Sequence, residues 1–332
     1  MVTQKSFEAL LKAAAFSSGI HTWNAAMKAT AEPQDNILQG ISLIVGAVFL
    51  LALTDALVKY LSASMSLWQL YVIASTLSLP ILFGLIIGHP GPRPRVKSRR
   101  WVAIRSLLLL LMWIAYYAAL PLIPLSVAAV AIYTTPLFIA VLAAFGAGEH
   151  LSRQAWLGIL CGFLGVVVVL RPGGDTFTPA TLLPVLAALF YALAMLVTRH
   201  HCQREHPLLL TLGLNLAFLA AGTLFSVLVA INSTETLAER APFLFAGWQP
   251  LDAKALLIVG AYALLLIIVN TGVARAYQIA PSALIGTFDY AYLIFASLWG
   301  YLLFSEVPDA MTWLGMGMIL MAGVMVLRQR RV

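Results

Sequence analysis

Apolar residues arrive in runs of about 20 along the whole chain, the length a helix needs to cross a hydrocarbon core. The runs are Gly40–Leu61, Leu67–Gly88, Trp101–Leu120, Ser126–Gly146, Ala155–Leu170, Leu182–Thr198, Leu208–Ala230, Ala255–Tyr277, Ser282–Phe304 and Thr312–Leu327. Lipid satisfies no backbone polar group, so a spanning segment must be a helix or part of a closed barrel. The runs lack the two-residue alternation of barrel strands. The pattern predicts an all-α integral membrane protein of ten transmembrane helices.

Composition supports this reading. The 332 residues are 61% hydrophobic and 10% charged, against about 25% charged in soluble domains. A soluble fold of this length has too little polar residue to cover its surface. The net charge is +7, and the placement of the charges argues against nucleic acid as a partner. Arg93, Arg95, Lys97, Arg99 and Arg100 share one loop; Arg199 and Arg204 share another; Arg328, Arg330 and Arg331 end the chain. With ten helices these clusters fall on one side, together with Lys5, Lys12 and Lys28. The positive-inside rule places that side, and both termini, in the cytoplasm. The basic loop reads as a topology determinant, with an anionic-lipid site as its alternative. Residues 1–38 show no signal-peptide pattern. Phe7, Leu10, Leu11 and Ala14 share a helical face there, which suits a surface helix or a disordered tail. Cys161 and Cys202 form no CxxC pair and are expected as free thiols.

Residues 115–171 align without a gap on 272–328 at an offset of 157. Pro124 meets Pro281, Tyr133 meets Tyr290, Phe138 meets Phe295, and Glu149 meets Glu306. Trp156-Leu157-Gly158 meets Trp313-Leu314-Gly315. About a dozen of the 57 pairs are identical. An earlier stretch, Ala52-Leu53 leading to Lys59, matches Ala192-Leu193 leading to Arg199. The chain thus divides into an extension (1–38), a first five-helix repeat (39–171) and a second (172–332) with a short basic tail. Five is odd, so the second repeat enters the membrane from the opposite side. Two inverted halves can exchange conformations and open a central cavity to either side.

The same residues carry a family resemblance. Tyr133-Thr134-Thr135-Pro136-Leu137-Phe138, then Gly148-Glu149 and Trp156-Leu157-Gly158, resembles the first-repeat signature of EamA-type transporters of the drug/metabolite transporter superfamily. Phe288-Asp289-Tyr290, Gly300-Tyr301, Phe304-Ser305-Glu306-Val307-Pro308-Asp309 and Trp313-Leu314-Gly315 are similar to the second. Asp55-Ala56-Leu57-Val58-Lys59-Tyr60 is similar to one branch. The resemblance covers residues 40–328. It implies ten helices, a cavity between the halves and alternating access, with amino acids, vitamins, S-adenosylmethionine, nucleotide sugars or drugs as cargo. The chain departs from the pattern in its longer N-terminal extension and in Ala74-Ser75-Thr76, where relatives often place an arginine.

Charges inside membrane helices are costly and mark functional candidates. Asp55 and Lys59 are four residues apart on one helical face. They read either as a self-neutralising pair or as an outer-side substrate or gate contact. Asp289 lies about two turns into the ninth helix. Arg275 at the end of the eighth is expected to pair with it, as an inner gate or as a permanent ion pair. Asp289 is also a candidate proton-coupling site, since hydrocarbon disfavours a charged carboxylate. Trp113, Tyr117, Tyr133, Tyr191, Asn270 and Tyr292 are candidates for lining the cavity, with helix packing as the alternative for each. Glu149 and Glu306 read as caps or loop anchors. Gly158, Gly162 and Gly165 suit close helix packing or the face of a homodimer. His200, His201, Cys202 and His206 look metal-like, yet adjacent loop histidines converge poorly, so no metal or cofactor is expected. Asn232-Ser233-Thr234 fits a glycosylation acceptor on the outer side. HExxH, GxSxG and Walker loops are absent from the sequence, which disfavours an enzyme or an ATP motor. The expectation is a secondary transporter of a small organic metabolite in a bacterial inner membrane, with an integral membrane enzyme or a receptor as the alternatives.

Overall fold

A computed structural model describes residues 37–89, 94–135, 137–138, 141–142, 153–170, 178–202, 205–232, 235–279, 288 and 290–329. Every regular element among the described residues is helical. In chain order these are α1 (Ile37–Leu61), α2 (Leu67–Ile87), α3 (Arg99–Ala119), α4 (Leu125–Ile132), α5 (Arg153–Leu170), α6 (Leu183–His201, entered through a short 3-10 turn), α7 (Pro207–Ile231), α8 (Glu235–Arg240), α9 (Pro242–Phe245), α10 (Ala253–Ile279), α11 (Ala291–Phe304) and α12 (Ala310–Gln329). Six stretches, in α1, α2, α3, α6, α7 and α10, are long and apolar enough to cross a membrane; shorter apolar stretches lie in α5, α11 and α12. The chain is therefore a multi-pass membrane protein. The expected count of ten goes beyond these six.

Two expected spans differ in detail. The run Ser126–Gly146 is expected as one helix, but α4 ends at Ile132 and Tyr133 and Thr134 form a turn. The cause is local. The Thr134 and Thr135 hydroxyls donate to the Ala131 and Ile132 carbonyls at 2.7 Å each, which competes with helical bonding. Pro136 has no N–H to give, so it cannot continue the helical bonding of α4. In the run Ser282–Phe304, α11 begins only after a turn at Tyr290, the repeat-mate of Tyr133.

The helices pack in pairs: α5 along α12, α3 along α6, α1 along α10, and α2 along α7, with α11 touching both α1 and α4. The closest approach is between α5 and α12. A Cβ on Gly315 would stand 2.2 Å from Val169 Cγ2 and 2.6 Å from the Gly165 carbonyl oxygen. A Cβ on Gly162 would stand 3.1 Å from Ala322, and one on Gly165 would stand 3.3 Å from Ile319. Gly162 and Gly165 thus serve close packing within one chain. Such contacts hold membrane helices together by van der Waals packing, since lipid supplies no hydrophobic drive.

Glu205 ties two loops at one end of the bundle. Its carboxylate accepts from the Lys97 N–H at 3.0 and 3.1 Å and from the Ser98 N–H at 2.7 Å. These donors precede α3, where a negative charge also suits the helix dipole. The metal-like histidine cluster is put to structural use. His206 Nδ1 accepts from the Leu208 N–H and caps α7, and His201 stacks on Trp101 at 3.5 Å. Burial, then the neighbouring His89, pushes the His206 pKa below the ordinary imidazole value. That favours the neutral ring, which a capping acceptor requires.

Candidate functional site

A carboxyl group lies buried among tyrosines from several helices. Asp55, about 9 Å along α1 from its Leu61 end, is 1% exposed. Tyr292, on the first turn of α11, donates its hydroxyl to Asp55 Oδ2. The Tyr116 hydroxyl of α3 lies 2.7 Å from the Tyr292 hydroxyl. With the Tyr292 proton committed to Asp55, Tyr116 is the donor of that pair. The Tyr262 hydroxyl of α10 donates to Tyr117 of α3 at 3.3 Å. Asp55 Oδ1 is buried with no hydrogen-bond partner, as is the Tyr71 hydroxyl of α2.

Ring contacts close the cluster. Trp113 sits 4.8 Å from Tyr117, Tyr71 sits 6.5 Å from Tyr117, and Tyr133 stacks on Tyr292 at 5.3 Å. Tyr133 also lies 5.4 Å from its repeat-mate Tyr290. The break after α4 is what turns Tyr133 toward α11. The result is a packed aromatic cluster with a few hydroxyls and one carboxyl, polar groups of the kind that fix a small molecule in a site.

Five expected site residues therefore converge: Asp55, Trp113, Tyr117, Tyr133 and Tyr292. Two others make different contacts. Asn270 donates to the Leu266 carbonyl of its own helix at 2.9 Å. Tyr191 on α6 lies near Arg105, whose Nε donates to Thr198 Oγ1 at 2.8 Å. Arg275 is exposed near the end of α10. Asp289 lies outside the described residues, and the expected Arg275–Asp289 pair lies there with it. The sequence reading missed Tyr71, Tyr116 and Tyr262. Each is a hydroxyl-bearing ring deep in an aliphatic run, and that signal alone could have marked them.

Lys59 does not pair with Asp55, one turn away. Its ammonium bonds Glu306, donates to the Ile123 carbonyl at 2.7 Å, and lies 5.2 Å from the Phe304 ring centroid. The second Glu306 oxygen accepts from the Leu125 N–H at 2.8 Å. Ser305 aims the glutamate here. It takes φ 55°, so the chain reverses after α11, and the Glu306 N–H bonds the Gly300 carbonyl at 3.1 Å. Glu306, expected as a cap or loop anchor, does accept the first N–H of α4, and through Lys59 it also bridges two distant parts of the chain.

A family model described as the EamA-like transporter family matches residues 38–171. The chain is 32% identical to a riboflavin transporter of Rhizobium johnstonii over 267 residues, which cover 80% of this chain and 81% of that protein. It is 25% identical to a pseudopaline exporter of Pseudomonas aeruginosa over 298 residues, covering 90% and 99%. One solved crystal structure superposes with a TM-score of 0.60 at 21% identity, covering 88% of this chain and 99% of that one, a likeness of fold.

Proposed function

The chain belongs to the EamA-like transporter family, and on that premise we propose that it works as a secondary transporter that carries a small organic metabolite with an aromatic or heteroaromatic ring by alternating access. The observation that carries this is the buried Asp55 among tyrosines, at the level where α4 is interrupted. Discontinuous helices at the centre of inverted repeats are where transporters commonly hold cargo. Tyrosine rings suit a flat conjugated ring, and the hydroxyls and the carboxyl suit its polar edge. The riboflavin transporter relative is in keeping with a flat conjugated cargo.

Alternating access rests here on two inverted five-helix repeats, 39–171 and 172–332. Repeat-related residues that touch lie on the axis relating the repeats. Tyr133 meets Tyr290, and Cys161 Sγ lies 3.9 Å from the carbonyl of Met318, its own repeat-mate. The contacts Gly162–Ala322 and Gly165–Ile319 are images of each other. Both termini face the cytoplasm of a bacterial inner membrane in this reading, as the basic loops indicate. The Lys59–Glu306 pair then closes the outer end, and Arg275 with Asp289 closes the inner end.

The test is uptake into proteoliposomes of labelled riboflavin, S-adenosylmethionine, nucleosides and amino acids. Saturable uptake of a ring-bearing compound is the expected result. Tyr133→Ala should raise its KM about tenfold, the loss of one aromatic contact. Saturable uptake confined to compounds without a ring would overturn the cargo class, and no saturable uptake at all would count against transport. The inner gate has its own test. Arg275→Asp with Asp289→Arg should recover transport that each single change loses; an inactive swap beside active single variants would remove the pair from the mechanism.

A further inference from the structure

Asp55 carries more than a place in the cargo site. We propose that Asp55 is the proton-coupling site of the carrier, with the proton held on Oδ1 in the conformation described here. The inference rests on the transport reading above and deepens it by naming the coupling ion.

The geometry argues it as follows. Asp55 is 1% exposed and lies inside an apolar span. A carboxylate at that depth needs a compensating positive charge. Among the described residues, the titratable groups that face it are these. From α3 come Tyr116 and Tyr117, from α10 Tyr262, and from α11 Tyr292. All are neutral hydroxyls. Lys59, one turn along α1, is engaged by Glu306. Asp289, three residues before Tyr292, lies outside the described residues. Among the described residues the salt bridge is Lys59–Glu306, and no cation bonds Asp55.

The two oxygens differ. Oδ2 accepts from Tyr292, which in turn receives from Tyr116. Oδ1 is buried without a partner. A neutral acid fits this pattern: Oδ2 is its carbonyl oxygen, and Oδ1 carries the hydrogen. The same bond ties protonation to movement. Tyr292 stands on the first turn after the Tyr290 turn, so displacement of α11 breaks its contact with Asp55. Opening the site therefore frees the carboxyl to exchange its proton with water on the exposed side.

The proton can be read without knowing the cargo. The full-length protein in lipid membranes is titrated while infrared difference spectra follow the carbonyl stretch of a protonated carboxylic acid. Wild type should show such a band at neutral pH that disappears at alkaline pH. Asp55→Asn should lose it, while Asp289→Asn keeps it. Tyr292→Phe should keep the band and move it to higher frequency, because the carbonyl has lost a hydrogen bond. A titrating band that survives Asp55→Asn, or vanishes in Asp289→Asn, overturns the proposal. So does the absence of the band from wild type. Failure of the uptake panel would count against the transport reading and leave this measurement intact.

Discussion

Gly315→Ala is expected to cost about 3 kcal/mol of unfolding stability, whereas Gly317→Ala, two residues on, should be neutral or slightly stabilising. The two glycines share a helix, a residue type and a membrane depth. They differ in surroundings. A Cβ at Gly315 would meet Val169 at 2.2 Å and the Gly165 carbonyl at 2.6 Å, whereas nothing lies within 4 Å of one at Gly317. Val169 can turn aside; the Gly165 backbone cannot, so α12 must back away from α5. Lipid offers no hydrophobic force to restore the contact. At Gly317 the change only improves helix propensity, by up to about 1 kcal/mol. Unfolding of the purified variants in mixed micelles, followed by circular dichroism, measures both. Equal stabilities would show that α5 and α12 do not pack as closely as described. Gly315→Leu should fail to accumulate as folded protein, since its side chain cannot be placed between the two backbones.

Much of the fold was legible because membrane helices announce themselves through one strong term. Each long apolar run had to satisfy its own backbone, so length and hydropathy were enough to place α1, α2 and α7. The interruption of α4 was less visible, although its causes were in the sequence. Thr134, Thr135 and Pro136 each weaken a helix, but hydropathy does not register them. The Tyr133–Tyr290 match was legible as a repeat; that the two rings touch was not, because an offset gives correspondence and not proximity.

The site was readable in part for a similar reason. Asp55 stood out as a charge in an apolar run. Tyr117, Tyr133 and Tyr292 stood out as polar tips. Tyr116 was missed: adjacent residues on a helix point about 100° apart, so nothing local says that Tyr116 and Tyr117 both join one cluster. Both do, because Tyr116 reaches toward α11 and Tyr117 toward α10. The partner of Lys59 was the least legible. Spacing favoured Asp55, four residues away on one face. Glu306 lies 247 residues away, and its aim depends on the left-handed conformation of Ser305. No local pattern encodes that choice.

Lys59→Ala and Glu306→Gln should each shift the carrier toward outward-open states, about 30-fold in the open-to-closed ratio. Lys59 holds α1 and the Ile123 carbonyl, and Glu306 holds the chain after α11 and the Leu125 N–H. Lys59 and Glu306 lie in the two proposed repeats, so in the proposed cycle their bond breaks when that end opens. Breaking a fully buried pair costs about 3–5 kcal/mol. These side chains keep 12% and 20% of their exposure, so about 2 kcal/mol is the expected loss, and about 1.4 kcal/mol is tenfold. The shift is read in cells carrying a cysteine-free carrier with Ser126→Cys, a buried position next to the Leu125 N–H. A membrane-impermeant maleimide should label it about 30-fold faster in either variant. Because the two charges act as one unit, the double variant should add little beyond either single change. The exchange Lys59→Glu with Glu306→Lys should recover part of the closed population, though the Ile123 and Leu125 bonds are lost. Unchanged labelling in both single variants would mean that the pair braces the fold without gating it, and the outer closure would then have to be sought elsewhere in the bundle.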